Sequence, residues 1–191
     1  MPHVLSRRAL LAGLTLAPLP AQAHADDYMN FLFAPMRGGA GAAAADRSTR
    51  TEVRLDTPMP AGSIRIDTAA RRLFLILGGG RALAYDVGVG AEGFGWSGTE
   101  TITAKRVWPD WRPPAEMRTR RPDLPAFVPG GPDNPMGARA LYLGRTLYRI
   151  HGSNAPETVG DAASSGCFRM TNIDVIDLYD RVSIGARVTV S

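Results

Sequence analysis

From about Gly62 onward, apolar and β-branched residues come in short runs broken by glycine-bearing turns. The pattern predicts strands over Ser63–Asp67, Leu73–Leu77 and Leu83–Val89, joined as consecutive hairpins through Thr68–Arg72 and Gly78-Gly79-Gly80-Arg81. A threonine-rich alternation predicts another strand over Thr99–Arg106, and Ala140–Leu143 and Thr146–His151 form a further pair around Gly144-Arg145. Arg187–Val190 supplies the last strand. One helix stands out: Asn172 or Thr171 can cap it, Asp174 sits in its first turn, and Val175, Leu178, Tyr179 and Val182 share one face. Gly185 suits the turn that follows. The expected fold is therefore mainly β, a sandwich-like or barrel-like domain of short strands with one or two short helices.

Between the strands runs Val107–Pro135, which holds eight of the fifteen prolines together with Trp108 and Trp111. Proline restricts such a segment and tryptophan gives it something to bury, so a semi-rigid flap over a site is expected. Residues 26–61 read as a flexible N-terminal tether, because Gly38-Gly39-Ala40-Gly41-Ala42-Ala43-Ala44-Ala45 can bury little. Residues 1–25 read as a cleaved signal peptide. Arg7 and Arg8 precede an apolar run from Ala9 to Leu19, and Ala21-Gln22-Ala23 or Ala23-His24-Ala25 offers a small-residue cleavage site. The setting of Arg7-Arg8 also fits a twin-arginine signal, and the apolar run is short of the ~20 residues that span a bilayer.

Charge excludes one class of partner. Removing residues 1–25 lowers the net charge from +4 to about +2 (20 Lys+Arg against 18 Asp+Glu), and no basic run is interleaved with aromatics, so nucleic acid is not an expected ligand. Cysteine usage adds more. The chain has a single Cys, unusual for an exported protein, where thiols normally pair. With His3 and His24 in the leader, the remaining domain carries one His, His151, and one Cys, Cys167, sixteen residues apart. A thiol attacks as the thiolate and needs a base or cation beside it, and Gly166 leaves nearby amides open to an oxyanion. A small buried thiol and a structural histidine remain the plainer alternative. On the residues alone, both readings stand.

The stretch His151-Gly152, a spacer, then Ser164-Ser165-Gly166-Cys167-Phe168-Arg169 resembles the signature of the L,D-transpeptidase (YkuD-like) catalytic domain. The resemblance continues upstream through Trp-Pro-Asp-Trp-Arg-Pro-Pro (108–114) and the Gly130–Leu143 segment, and downstream through Thr171–Val190. It thus covers most of residues 62–191, the expected catalytic domain. The resemblance implies a periplasmic or cell-envelope enzyme that acts on peptidoglycan stem tetrapeptides through a Cys167 thioester. His151 would be the base, oriented by the Gly152 carbonyl, and the amides of Gly166 and Cys167 would hold the oxyanion. The family usually has His where this chain has Ser165, so any charge from that side chain is absent. Arg169 is a candidate for a substrate carboxylate or for clamping the turn around Cys167. Trp111, Arg112 and Asn154 are further candidate substrate contacts, whereas Arg118, Arg120, Arg121 and Arg149 read as solvated charges.

The acyl acceptor stays open: a second stem's amine giving a 3→3 cross-link, an outer-membrane lipoprotein, or water, which would make a carboxypeptidase or hydrolase. A wall-binding module with an inert thiol is the reading from another class. No cofactor is expected, and one His with one Cys falls short of a metal ligand set.

Overall fold

The structure, a computed structural model, describes residues 46–91 and 94–191. Eleven strands appear in chain order: β1 (Thr51–Arg54), β2 (Ile64–Asp67), β3 (Arg72–Gly78), β4 (Arg81–Asp86), β5 (Val89–Gly90), β6 (Gly98–Val107), β7 (Arg139–Leu143), β8 (Arg149–His151), β9 (Ala162–Ser164), β10 (Phe168–Arg169) and β11 (Arg187–Val190). Among the described residues two helices accompany them, α1 (Ala115–Arg120) and α2 (Asn172–Arg181), with one 3₁₀ turn at Pro156–Thr158. Nine strands form one open sheet in the order β1-β4-β3-β2-β11-β6-β7-β8-β10, and β5 pairs with β9 beside it. The architecture is mainly β and sandwich-like, as the alternation predicts, without closing into a barrel.

The hairpin half forms as the runs dictate. Leu73 and Leu75 of β3 alternate inward and are essentially buried, facing Ile64, Ile66, Leu83 and Tyr85 in the same core. The β3–β4 turn uses Gly78, Gly79 and Gly80 at φ of 82°, 60° and 70°, a left-handed run only glycine adopts cheaply. β6 joins this half to the other. Its residues Gly98–Thr101 pair with β11, and Ile102–Val107 pair with β7 across an irregularity between Ile102 and Ala104. Such a break lets one strand serve two sheet halves that pack on one core. α2 lies against β7 and buries Val175 and Leu178, and Thr171 Oγ1 caps it by accepting from the Asp174 N–H at 3.2 Å.

One expectation needs correction. The tether does not run through residues 46–61. Thr51–Arg54 pairs antiparallel with Arg81–Ala84, and Ser48 and Thr49 bond to the buried Asp174 carboxylate at 2.6–2.9 Å. The strand is polar because it is an edge, where charge discourages further pairing, so it lacks the apolar alternation that betrays inner strands. Residues 1–45, with the expected signal peptide and the first part of the tether, lie outside the described residues. The segment Val107–Pro135, expected as a semi-rigid flap, contains α1, started by Pro113-Pro114, and a bridge between Trp111 and Val128.

Candidate active site

The site is made by a short parallel ladder. β8 and β10 pair with Ile150 opposite Phe168 and His151 opposite Arg169. Side chains alternate along a strand, so Ile150 and Phe168 share one face and enter the core at 0% and 1% exposure. Arg149, His151, Cys167 and Arg169 share the other face, and all four line a cavity of about 390 Å³. The remaining walls come from three places: Phe94 and Gly95 after β5, Leu147 and Tyr148 before β8, and the Pro/Trp segment, which supplies Trp111, Pro114, Met117 and Arg120. Glu116, Ser164 and Ser165 complete the polar part of the lining.

The turn before Cys167 is tightly specified. Ser164, buried in β9, accepts from the Gly166 N–H at 3.1 Å and donates to the Cys167 carbonyl at 2.7 Å. Gly166 has φ 107°, and a Cβ there would run into the Tyr148 ring and the Phe94 carbonyl, so only glycine fits. Tyr148 is itself stacked on Trp96, with centroids 5.1 Å apart. Among the described residues no acceptor is bonded to the Cys167 amide. The Cys167 thiol points at the Leu147 carbonyl, 3.7 Å away.

His151 is nearly buried, and its Nδ1 lies 2.6 Å from the Gly152 carbonyl. A carbonyl only accepts, so Nδ1 carries the proton and Nε2 is left as the acceptor. Burial drives the imidazole pKa down to about 3; the Gly152 carbonyl opposes this, and Arg169 and Arg149 add to it. Burial pushes the Cys167 thiol up, against the pull of Arg149 and then Arg169. At neutral pH both groups therefore rest uncharged, as thiol and imidazole.

The other expected site residues scatter. Arg169 is 2% exposed, donates to Thr158 Oγ1 at 2.9 Å, and exchanges main-chain bonds with Gly88 while its side chain lines the cavity. Trp111 lines the cavity. Arg112 and Asn154 are not among the lining residues: Arg112 lies over the Phe127 ring at 4.5 Å, and the Asn154 amide donates to the Asp133 carbonyl at 3.1 Å. Four residues contribute here that were not assigned to the site from sequence. Tyr148 lines the cavity with Trp96 stacked on it. Asn172 accepts from the Ala138 N–H and donates to the Ser153 carbonyl, both at 2.8 Å, and so ties the turn after His151 to the end of the Pro/Trp segment. Arg149, read as solvated, faces the cavity. Among the described residues no cluster of three or more His, Cys, Asp or Glu could hold a metal, and no helix is long and apolar enough to cross a membrane.

Comparison with known proteins identifies the family. The model of the L,D-transpeptidase catalytic domain (YkuD) matches residues 61–190. The chain belongs to the L,D-transpeptidase family. The Escherichia coli protein "Probable L,D-transpeptidase YbiS" is 40% identical over 134 residues, 65% of this chain and 43% of that protein. "Probable L,D-transpeptidase ErfK/SrfK" of the same organism is 44% identical over 109 residues, 51% of this chain and 35% of that protein. This L,D-transpeptidase-family chain thus spans less than half the length of these curated relatives. Among solved structures, a Brucella melitensis protein described as a probable carnitine operon oxidoreductase is 42% identical with a TM-score of 0.51, covering 76% of this chain and 93% of that one. A mutant Enterococcus faecium L,D-transpeptidase shares the fold at a TM-score of 0.56 and 19% identity, over 70% of this chain and 50% of that one.

Proposed function

We propose that this domain is a cysteine-nucleophile L,D-transpeptidase that acts on peptidoglycan stem tetrapeptides. The observation that carries the proposal is the parallel register of β8 and β10, which turns Cys167 and His151 toward one cavity. In the proposed reaction, His151 Nε2 takes the thiol proton as Cys167 Sγ attacks the carbonyl of the third stem residue. The oxyanion is assigned to the Cys167 N–H, since the Gly166 N–H is bonded to Ser164. Collapse breaks the peptide bond, His151 returns the proton to the leaving D-Ala amine, and a thioester remains. The side-chain amine of a second stem then attacks the thioester, passes a proton to His151 and releases the thiol, giving a 3→3 cross-link. An outer-membrane lipoprotein amine can take the same place. Gly152 holds the imidazole through its carbonyl, and Ser165 lines the entrance without charge. Arg169 and Trp111 contact the substrate from the cavity wall. Arg112 and Asn154 act, if on substrate, only beyond the cavity.

A dry site favours an amine over water, since good positioning supplies an effective molarity of about 10⁵ M against ~55 M water. The Pro/Trp segment, which walls the cavity, is the feature that supports this choice. Export through the leader in residues 1–25 would deliver the enzyme to the periplasm. Mass analysis of purified chain with tetrapeptide stems tests the reading. An acyl-tripeptide adduct on Cys167, absent in Cys167→Ser, and cross-linked dimers are expected. No adduct overturns the nucleophile; an adduct that yields only free tripeptide at high acceptor concentration makes the enzyme a carboxypeptidase.

A further inference from the structure

The mechanism above leaves one cation at the sulfur unused. Stepping one residue back along the β8–β10 register from Ile150–Phe168 brings Arg149 opposite Cys167, on the cavity face. Both side chains also converge on a single acceptor: Arg149 Nη1 donates to the Leu147 carbonyl at 3.1 Å, and Cys167 Sγ meets the same oxygen at 3.7 Å. The guanidinium is held in that position from behind, lying over the Tyr142 ring at 5.2 Å. Arg149 is half-buried, so its charge is less screened than that of a surface arginine.

We propose that Arg149 is the group that activates the nucleophile electrostatically, its guanidinium stabilising the Cys167 thiolate when the thiol proton passes to His151. The proposal rests on the reading of Cys167 as nucleophile. The resting thiol donates toward the Leu147 carbonyl, and once deprotonated the sulfur has no reason to stay on that oxygen. The cation already bonded there is the natural partner for it. The bond broken is S–H and the bond formed is N–H on His151 Nε2; the electron pair stays on sulfur beside the guanidinium.

The other charged and titratable groups facing the sulfur do not supply this. His151 gains charge in the same step. Arg169, across the ladder from His151, lies on the imidazole side, donates to Thr158 and comes after Arg149 among the charges acting on the thiol. On α1, Arg120 lies over the Phe94 ring at 5.3 Å and Glu116 carries the wrong sign. Tyr148 offers no cation, and Ser165 beside the turn cannot carry charge. Arg149 is also the foremost charge opposing the effect of burial on the thiol.

The chain has one cysteine, so any thiol label reports on Cys167 alone and needs no peptide substrate. The test is the rate of alkylation by iodoacetamide against pH for wild type, Arg149→Lys and Arg149→Gln. Arg149→Gln is expected to move the profile up by about one pH unit, so that labelling at pH 7 falls roughly tenfold, while Arg149→Lys stays near wild type. Anionic iodoacetate is expected to lose more than iodoacetamide in Arg149→Gln, because a positive charge near the sulfur draws it in. Superimposable profiles for wild type and Arg149→Gln overturn the proposal, as does Arg149→Lys behaving like Arg149→Gln with unchanged circular dichroism. Should Arg149→Gln not fold, Arg149→Met, which keeps an apolar stem over Tyr142, carries the same comparison. Because labelling is independent of peptide, a failure of the transpeptidase reading shows separately, as no acyl adduct from stems.

Discussion

The hairpin half of the sheet and the half around β8 and β10 are built on opposite plans. In β2, β3 and β4 the strands run four to seven residues, and their inward positions are aliphatic or aromatic. Around β8 and β10 the strands have three and two residues, and polar side chains are buried. Among the described residues, every buried polar side chain except Ser63 lies between Asn134 and Asp174. Burying a polar group costs free energy unless a partner is fixed in place, and here the partners are turns: Ser164 within its own loop, Asn172 between Ala138 and Ser153, and His151 on Gly152. One half supplies stability through apolar burial, and the other uses it to hold polar groups in a single arrangement.

Substitutions in the two halves should therefore separate activity from stability. His151→Ala is expected to cost about three orders of magnitude or more in kcat/KM for tetrapeptide stems, with the urea midpoint unchanged or raised. Leu73→Ala should do the reverse. Truncating this fully buried side chain is expected to cost about 2–5 kcal/mol by urea unfolding, with the remaining folded fraction turning over normally. A loss of stability in His151→Ala as large as in Leu73→Ala would mean that the two halves are not divided in this way.

A smaller effect follows from the buried imidazole. The folded pKa of His151, about 3, lies below its ordinary 6.5, so the unfolded chain binds this proton first as the pH falls. The stability that depends on a neutral His151 is then present above about pH 6.5 and declines as the pH drops toward 3. Thermal melts between pH 7 and 4 should fall more steeply in wild type than in His151→Gln; parallel slopes would show that His151 protonates freely in the fold. The smallest change expected is in Ser165→Ala, with turnover reduced by tenfold or less, since an exposed hydroxyl with no charge has little to give. A hundredfold loss would give Ser165 a direct part in the reaction.

The two halves were also unequally legible. The strands β2, β3, β4, β6, β7 and β11 follow from alternation, because each buries one face and exposes the other, and α2 follows from its cap and apolar stripe. β1 is an edge without that pattern. β9 and β10 are too short to show a period at all, and they exist because Gly88, Ala91 and His151 offer main-chain partners from distant positions. For the site, His151, Cys167 and the Ser-Ser-Gly-Cys turn were readable as types of residue at a spacing. Arg149 was not, since its role depends on which strand lies opposite, and a one-residue slip of that pairing would turn it to the core. Trp96 and Tyr148 likewise meet only in three dimensions.

The position of β11 has a consequence for how the chain is made. Val188 lies opposite Ile64 of β2 on one side and Glu100 of β6 on the other, so this strand, later in the chain than the rest of the sheet, sits in the middle of it. A growing polypeptide can form the β2–β3–β4 hairpins early, but the two halves cannot be joined until residues 187–190 have left the ribosome. Until then β2 and β6 are open edges, the kind that pair with the wrong chain. Joining of the two halves is thus tied to the synthesis of this segment, and the interval before it is when the nascent protein most needs a chaperone.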